Sequence, residues 1–223
     1  MLGRLTSNLL GLRAAEAPAR GAAYLERFDR QFAPRLGMRA ESLRLMMSLL
    51  EARTRSVERP LLIIETGSVR QPGNWEGDGQ STVLWGDFAN HFDAEVHTVD
   101  LDPEPARLIN GELALGDTVK AHTGDSVKFL HDLATARPLR QIDLLYLDSY
   151  DLDVQNPYPS ALHHLKELAA ARPSLGPGSV VAVDDNHLLE TGGYLGKGLL
   201  VEEWFSQVGI KPLYSGYQFI WQL

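Results

Sequence analysis

The sequence has no cysteine among its 223 residues. Disulfide bonds and thiolate metal sites are therefore excluded, and any metal would have to be held by oxygen or imidazole ligands. A basic excess is missing as well, because the formal net charge is −8. Since broad binding to nucleic acid needs a positively charged surface, no nucleic-acid partner is expected.

Long apolar runs are also missing. None approaches the ~20 residues that cross a bilayer, so no membrane span is expected. The first segment, residues 1–23, carries arginines and lacks the continuous apolar stretch of a signal peptide. Its composition would suit a transit peptide or a membrane-surface helix. A terminal helix packed on the domain is the preferred interpretation, and we expect a cytoplasmic protein.

Four short apolar runs dominate what is present. They cover residues 60–66, 95–102, 142–149 and 179–186, and each ends in or beside an acid or a glycine. Continuous apolar runs are typical of strands that are covered on both faces, as in a parallel sheet. Segments with helical spacing alternate with these runs. The alternation predicts a doubly wound α/β domain.

The two ends of the chain show different patterns. Aromatic residues recur four apart in residues 22–33, and residues 41–54 also follow helical spacing. We assign residues 1–59 to an N-terminal helical extension of the same domain, which would act as a cap or as a contact in a homodimer. Residues 60–223 form the main domain, and residues 211–223 predict an antiparallel hairpin at its sheet edge.

Acidic residues cluster where the predicted strands end. Glu65, Asp100, Asp148 and the pair Asp184-Asp185 all lie at such positions. Any one of them could simply cap a helix. Because ligands of open α/β sheets bind beyond the carboxyl ends of the strands, four successive acidic ends predict a shared ligand site.

The glycine-rich segment at residues 64–82 has some features of a phosphate loop. Gln80, however, stands where a Walker loop has its lysine, and nearby acids add negative charge. The dinucleotide fingerprint also fails, because no second glycine follows Gly67 at the right place, and this disfavours an NAD-dependent oxidoreductase. An acid at Asp100 would suit ribose hydroxyls. Acidic surroundings then favour a cationic ligand that contains ribose, which is S-adenosylmethionine (SAM).

An insertion explains the length of this first loop. Asp100 lies 33 positions after Gly67, against about 20 in a simple βαβ unit. Residues 69–78, with the sequence VRQPGNWEGD, are the predicted insertion. We expect it to cover the cofactor or to contribute to the choice of acceptor.

The order of five motifs, IIETG, VHTVDLD, HTGDS, DLLYLDSYD and GSVVAVDDNH, resembles that of class I SAM-dependent methyltransferases. The resemblance covers about residues 60–223. It implies an enzyme with a Rossmann-like fold, in which a doubly wound, mostly parallel seven-stranded sheet carries a C-terminal antiparallel hairpin and N-terminal helices. It also implies the cofactor contacts. These are expected at Glu65, Gly67, Ser68, Gly79, Ser81, Thr82, Asp100, Leu101, Gly124, Asp125, Ser126 and Asp148.

Two motifs, LDSYD and VDDN, are similar to those of metal-dependent O-methyltransferases of the catechol type and of related antibiotic-sugar enzymes. The resemblance implies that Asp148, Asp185 and Asn186 hold Mg²⁺ or another divalent cation, with Asp184 as an alternative ligand. Mg²⁺ prefers such oxygen ligands, and it would lower the pKa of a bound hydroxyl. The implied acceptor is a small hydroxylated molecule, such as a sugar, a polyol or a phenol of natural-product biosynthesis. Asp185-Asn186 could instead cap a strand-to-helix turn.

The general base is the point at which this sequence departs from the catechol enzymes. Those enzymes have a lysine three residues after the aspartate that corresponds to Asp148, and Asp151 stands there in this chain. The candidate catalytic residues are Asp151, His187 and Asp148, and the intrinsic pKa of histidine lies near neutrality. One alternative is a metal-independent methyltransferase with Asp151 or His187 as base. The other is a non-catalytic SAM-binding module.

Several other residues carry weaker signals. Lys197 lies in the glycine-rich segment GGYLGKG, which could close over a substrate, although an exposed and flexible lysine is the simpler interpretation. Tyr150 could stack on the substrate or on adenine. Of His163 and His164, one is expected to be packed and one exposed. Three tryptophans could line an aromatic pocket, although packing is the preferred role: Trp75, Trp85 and Trp204.

Overall fold

The structure is a computed structural model that describes residues 20–136, 138–190 and 192–223. Short strands alternate with helices along the chain. The strands are β1 (Leu62–Thr66), β2 (Glu95–Asp100), β3 (Val119–Thr123), β4 (Leu144–Leu147), β5 (Val180–Val183), β6 (Asn186–Leu188), β7 (Tyr194–Gly196), β8 (Tyr214–Ser215) and β9 (Phe219–Gln222). The α-helices are α1 (20–31), α2 (Ala40–Thr54), α3 (Ser81–Phe92), α4 (Pro103–Gly111), α5 (Ser126–Thr135), α6 (Tyr158–Ala171) and α7 (Leu199–Gln207), and short 3₁₀ helices cover Ala33–Arg35, Gly37–Arg39 and Arg172–Ser174.

The central sheet has seven strands in the order β3-β2-β1-β4-β5-β9-β8. Strands β1 to β5 run parallel, whereas β9 is antiparallel to both β5 and β8. The predicted doubly wound, mostly parallel sheet with a C-terminal hairpin is therefore confirmed. β6 and β7 form a separate two-stranded antiparallel sheet. This small hairpin occupies part of the segment that the sequence presented only as a glycine-rich loop.

Both faces of the sheet are covered, which explains the continuous apolar runs. On one face, Ile63 and Leu144 belong to a buried cluster that includes residues of α1, α2 and α3. On the other face, Leu62 and Leu145 belong to a cluster that includes residues of α5, α6 and α7. Since side chains alternate along a strand, a strand that is covered on both faces must be apolar at every position.

The N-terminal helices contribute to the first of these clusters. Tyr24, Phe28, Met46 and Met47 are all at most 1% exposed, and the Tyr24 ring meets Phe88 of α3 edge to face at 5.6 Å. These aromatic and methionine side chains therefore pack in the core. Residues 1–19, on which the prediction of a terminal or targeting segment depends, lie outside the described residues. None of the helices in the described part of the chain is long and apolar enough to cross a membrane.

The turn after β1 lies very close to the end of the neighbouring strand β4. Gly67 follows β1 with a φ of +80°, a conformation that favours glycine. A Cβ atom at this position would lie 2.5 Å from the carbonyl oxygen of Asp148, at the end of the neighbouring β4. Only glycine therefore lets the first turn approach the end of β4 so closely, and the two strand ends form one continuous floor.

Candidate active site

A cleft of about 340 Å³ lies at the carboxyl ends of the central strands. It brings together residues from the first loop, from the ends of β2 and β4, and from the start of α5. Most of the residues that the sequence singled out for the site line this cleft. They are Gly67, Ser68, Ser81, Asp100, Leu101, Gly124, Asp125, Ser126, Asp148, Asp151 and Asp185.

Asp100 is held in place by backbone N–H groups. Its Oδ2 accepts a hydrogen bond from Ser68 N at 3.0 Å, and its Oδ1 accepts one from Asp102 N at 2.9 Å. These neutral donors fix the carboxylate but leave its charge uncompensated. A carboxylate held in this way can accept further hydrogen bonds from a diol, such as the hydroxyls of a ribose.

The start of α5 forms another wall. Asp125 caps this helix, since its side chain accepts a hydrogen bond from Lys128 N at 2.7 Å. The hydroxyl of Ser126 lies 3.1 Å from Nε2 of His163, whose ring is 5.3 Å from that of Tyr150. His163 lines the cleft, which sequence reasoning missed. The available signal was its spacing of four residues before the buried Glu167, which lies 3.3 Å from the imidazole.

Glu65 and Thr82 lie behind the cleft rather than in its lining. Glu65 is 0% exposed and accepts hydrogen bonds from the hydroxyls of Thr82 at 2.5 Å and Thr98 at 2.7 Å. Burial raises the pKa of Glu65 to about 7, although these hydroxyls oppose the shift. Thr82 also accepts a hydrogen bond from Val69 N. Both residues thus support the first loop from beneath, and the predicted contact Gly79 packs on Arg39 instead of lining the cleft.

Asn186 and His187 also lie away from the cleft lining. The Asn186 carboxamide is 1% exposed, donates to the carbonyls of Val183 and Asp184, and accepts a hydrogen bond from Gly198 N at 2.8 Å. His187 is exposed on β6, where its ring meets Tyr217 edge to face at 5.5 Å. The structure therefore separates both side chains from Asp148 and Asp151, with which the sequence had grouped them.

The environment of Lys197 differs from the one that was expected from the sequence. It was expected to be exposed and flexible, but it is only 1% exposed. Its Nζ lies 2.7 Å from Oδ1 of Asp148 and 2.9 Å from Oδ2 of Asp185. Burial alone would lower the pKa of Lys197, but the charges of Asp148 and Asp185 outweigh it and raise the pKa above its ordinary value. Lys197 therefore carries a positive charge between these two carboxylates.

Arg39 provides a second buried cation that sequence reasoning missed. It lines the cleft, and its guanidinium lies 2.9 Å from Asp184 Oδ2 and 3.3 Å from Asp185 Oδ1. The Tyr217 hydroxyl also donates to Asp185. Burial acts to raise the pKa of Asp185, but Lys197, Tyr217 and Arg39 together lower it. No local pattern marked Arg39, because it belongs to a 3₁₀ helix of the N-terminal extension.

Asp151 lies at the mouth of the cleft. Its carboxylate is 79% exposed and pairs at 3.1 Å with Arg70 of the predicted insertion. The insertion itself packs on the N-terminal extension, because Trp75 stacks on Phe32 at 5.8 Å and the guanidinium of Arg35 lies 3.9 Å from the centre of the indole ring. The first loop therefore joins the N-terminal extension to the rim of the cleft.

The three tryptophans do not line this cleft. Trp85 is buried in the core, Trp75 stacks on Phe32, and Trp204 stacks on Phe205. All three tryptophans therefore pack against other side chains, which is the role that the sequence analysis preferred for them.

The acids of this region do not form a metal site among the described residues. Within residues 20–136, 138–190 and 192–223, no three His, Asp or Glu side chains lie together in a way that could hold a metal ion. The acids at the ends of β4 and β5 are paired with Lys197 and Arg39 instead.

Comparisons with known proteins agree with the geometry. A family model described as a methyltransferase domain matches residues 76–186, about half of the chain. No curated protein sequence gives a significant match. The apo structure of CalS11, a TDP-rhamnose 3'-O-methyltransferase of calicheamicin biosynthesis, is 17% identical and covers 93% of both chains with a TM-score of 0.53. A second CalS11 structure is 15% identical and covers 93% of this chain and 91% of its own, with a TM-score of 0.52.

Proposed function

We propose that this chain, a class I SAM-dependent methyltransferase, methylates a hydroxyl oxygen of a small acceptor. The observation that carries the proposal is the position of Asp148. Asp148 lines the cleft, and its backbone carbonyl lies so close to the Gly67 turn that a Cβ atom on Gly67 would be 2.5 Å from it. A proton acceptor therefore lies directly beside the place where the cofactor would bind.

The residues around Asp100 fit SAM. Asp100 presents a fixed carboxylate to the ribose hydroxyls, and Leu101, which is 77% exposed, offers an apolar surface beside it. Ser126, His163 and Tyr150 would border the adenine. Bound SAM would supply an electrophilic methyl group on its sulfonium centre. The protein would mainly hold the acceptor oxygen in line with this methyl group.

Asp148 is the residue that we assign as general base. Among the described residues, Lys197 is its donor and binds Oδ1, so that Oδ2 has no donor there. The acceptor oxygen would form its new bond to the methyl carbon as the sulfur–carbon bond breaks, and its proton would pass to Asp148. Asp151 is mostly exposed and paired with Arg70, and His187 does not line the cleft. Both are therefore weaker candidates.

The Mg²⁺ ion predicted from the sequence does not fit this arrangement. Lys197 lies between Asp148 and Asp185, where a shared cation would have to bind. The third predicted ligand, Asn186, uses its carboxamide on backbone groups, and the alternative ligand, Asp184, is paired with Arg39. Our proposal is therefore a methyl transfer that needs no divalent cation.

For the acceptor we propose a sugar, a polyol or a phenol. CalS11, which shares the fold, is a TDP-rhamnose 3'-O-methyltransferase, and this makes sugar hydroxyls the first class to test. Arg70 and Asp78 of the first loop line the cleft together with Asp151. We propose that this polar rim contributes to the choice of acceptor.

The test is transfer of a labelled methyl group from SAM to a panel of TDP-sugars, polyols and phenols, with and without EDTA. We expect methylation of a hydroxyl group that EDTA does not reduce. Asp148→Asn should lower kcat by ~10²–10⁴ and leave the affinity for S-adenosylhomocysteine within a few-fold. The matched control is Asp132→Asn, on the exposed face of α5.

Two results would contradict this proposal in different ways. Full activity of Asp148→Asn would remove the assigned base. Loss of activity in EDTA that Mg²⁺ restores would show that a metal takes part.

A further inference from the structure

We propose that the buried ammonium of Lys197 occupies a latent metal site, formed by Asp148 and Asp185, and replaces a divalent cation there. One part of this proposal, the alignment of Asp148 as base, rests on the proposed function. The other part, the competition between an ammonium and a metal for the same carboxylates, does not.

The backbone conformation around Lys197 places its side chain between Asp148 and Asp185. The hairpin of β6 and β7 pairs Asn186 with Gly196, and Lys197 N donates to the carbonyl oxygen of Asp185 at 3.2 Å. A Cβ atom at Gly196 would lie 2.4 Å from that same oxygen, and one at Gly198 would lie 2.7 Å from Asn186 Oδ1. The two glycines on either side of Lys197 thus permit a close approach that other residues would prevent.

The contacts of the ammonium group resemble those of a bound cation. Nζ lies 2.7 Å from Asp148 Oδ1, 3.2 Å from the Asp148 carbonyl oxygen and 2.9 Å from Asp185 Oδ2. These are three oxygens from two strand ends, and oxygen ligands are what hard divalent cations prefer. The side chain of Lys197 is only 2% exposed, so water compensates its charge very little.

The charges of the cluster leave one carboxylate uncompensated. Three aspartates, Asp148, Asp184 and Asp185, face two cations, Lys197 and Arg39. Arg39 contacts Asp184 and one oxygen of Asp185, while Lys197 contacts the other oxygen of Asp185. Within the described residues Asp148 is paired with Lys197 alone, and it lines the cleft directly after β4. Asp148 is therefore the aspartate of this cluster whose negative charge is least compensated.

Lys197 does not itself line the cleft, and we therefore regard it as a positioning residue. By binding Oδ1 of Asp148 it fixes the rotation of the carboxylate and directs Oδ2 toward the acceptor. A divalent cation at the same place would bind the acceptor oxygen directly. In this chain the acceptor would meet a carboxylate instead.

Manganese provides a probe that needs no acceptor. Mn²⁺ uses the same oxygen ligands as Mg²⁺, and its binding to the whole protein can be followed by electron paramagnetic resonance. We would titrate the wild type, Lys197→Met, Lys197→Arg and the control Lys166→Met, an exposed lysine of α6. Calorimetric binding of S-adenosylhomocysteine would show that each variant is folded.

We expect no stoichiometric Mn²⁺ site in the wild type, in Lys197→Arg or in Lys166→Met. Lys197→Met should bind one Mn²⁺ at least about 10-fold more tightly than the wild type, because Asp148 then lacks a cation and Asp185 keeps only Arg39. Asp148→Asn added to Lys197→Met should remove this site. This pattern would support the proposal.

Two outcomes would overturn it. One is a wild-type Mn²⁺ site that Asp148→Asn abolishes, since the metal would then displace the lysine; this result does not depend on how the Lys197 variants fold. The other is a folded Lys197→Met that binds Mn²⁺ no better than the wild type. Failure of the proposed function would look different, because no hydroxylated acceptor would be methylated whatever the Mn²⁺ titrations show.

Discussion

Two parts of the cleft hold their carboxylates by different means. In the cofactor half, formed by the ends of β1, β2 and β3, Asp100 is held by the backbone N–H groups of Ser68 and Asp102. In the acceptor half, formed by the ends of β4 and β5, Asp148 and Asp185 are held by the ammonium of Lys197. Neutral donors orient a carboxylate without cancelling its charge, whereas an ion pair cancels much of it.

This difference is the basis on which we propose a ligand for each half. The cofactor half keeps a negative charge, which suits the hydroxyls and the cationic centre of SAM. The acceptor half already contains Lys197 and Arg39, and in the described part of the chain Oδ2 of Asp148 has no donor, so we propose that it receives the incoming hydroxyl. This difference between the halves can be tested by removing the buried cation and by replacing each carboxylate separately.

The largest effect on stability is expected when Lys197 is replaced by methionine. The substitution removes the cation of Asp148 and one of the two cations of Asp185, and breaking a buried ion pair costs about 3–5 kcal/mol. We expect the free energy of unfolding, measured by chemical denaturation, to fall by about this amount. Lys166→Met, on the exposed face of α6, should change it by less than about 0.5 kcal/mol. A loss for Lys197→Met as small as that of the control would contradict the ion pair.

The next effect concerns Glu65, a buried acid behind the cofactor half. Its pKa is about 7 in the folded protein and about 4.5 in the unfolded chain. Between these values the folded state binds more protons than the unfolded state, so this group's contribution to stability falls as pH rises. Glu65→Gln lacks this titration. Its free energy of unfolding, relative to wild type, should therefore rise by about 3 kcal/mol between pH 4.5 and pH 7.5.

Denaturation curves of the two proteins at several pH values provide this measurement. Glu112→Gln, at an exposed position after α4, is the matched control. A difference between wild type and Glu65→Gln that does not change with pH would show that Glu65 titrates as an ordinary carboxyl group.

A smaller effect is expected for Asp100, the open carboxylate of the cofactor half. Asp100→Ala removes an acceptor of ribose hydrogen bonds, and bonds to charged groups contribute about 1.5–3 kcal/mol. The affinity for S-adenosylhomocysteine, measured by calorimetry, should fall by about 10- to 100-fold. Asp132→Ala, on the exposed face of α5, should leave it unchanged. An unchanged affinity for Asp100→Ala would remove the ribose assignment.

The smallest effect is expected at the rim, where the first loop joins the N-terminal extension. Trp75→Ala removes stacking on Phe32 and the contact with Arg35, and aromatic pairs contribute about 0.5–1.5 kcal/mol beyond the area they bury. Amide hydrogen exchange in residues 69–78 should become faster. Trp204→Ala, which removes a stack on Phe205 outside the cleft lining, should leave exchange in this loop unchanged. Slow exchange in both variants would show that the stack does not hold the loop.

Much of the fold was predictable because its signals are local. Each parallel strand is buried on both faces and is therefore apolar along its length, and the acids that follow are visible at its end. The helix over Ser81–Phe92 begins and ends where its apolar spacing does. Asp100 and Asp148 could be assigned to one edge for the same reason, since the carboxyl ends of parallel strands meet there.

The acceptor half was less predictable. Asp148, Asp185 and Asn186 match the metal-binding pattern of the catechol enzymes, but that pattern does not say which cation compensates the two acids. Lys197 follows a glycine-rich hairpin whose sequence is typical of a loop. Its buried ammonium group pairs with Asp148, which is 49 positions away. Arg39 reaches Asp184 across 145 positions. Neither ion pair leaves a local sequence signal.

The sequence alone was enough to locate the parallel strands, the acids at their carboxyl ends and the glycine of the first turn. These features depend on burial periodicity and on backbone conformation, which are both local. The tertiary structure decided which charges meet. It turned the expected loop lysine into a buried cation and placed Glu65 and Asn186 behind the cleft rather than in it. Ion pairing acts between atoms a few ångströms apart, and only the folded chain brings residues as distant as Arg39, Asp148 and Lys197 within that range.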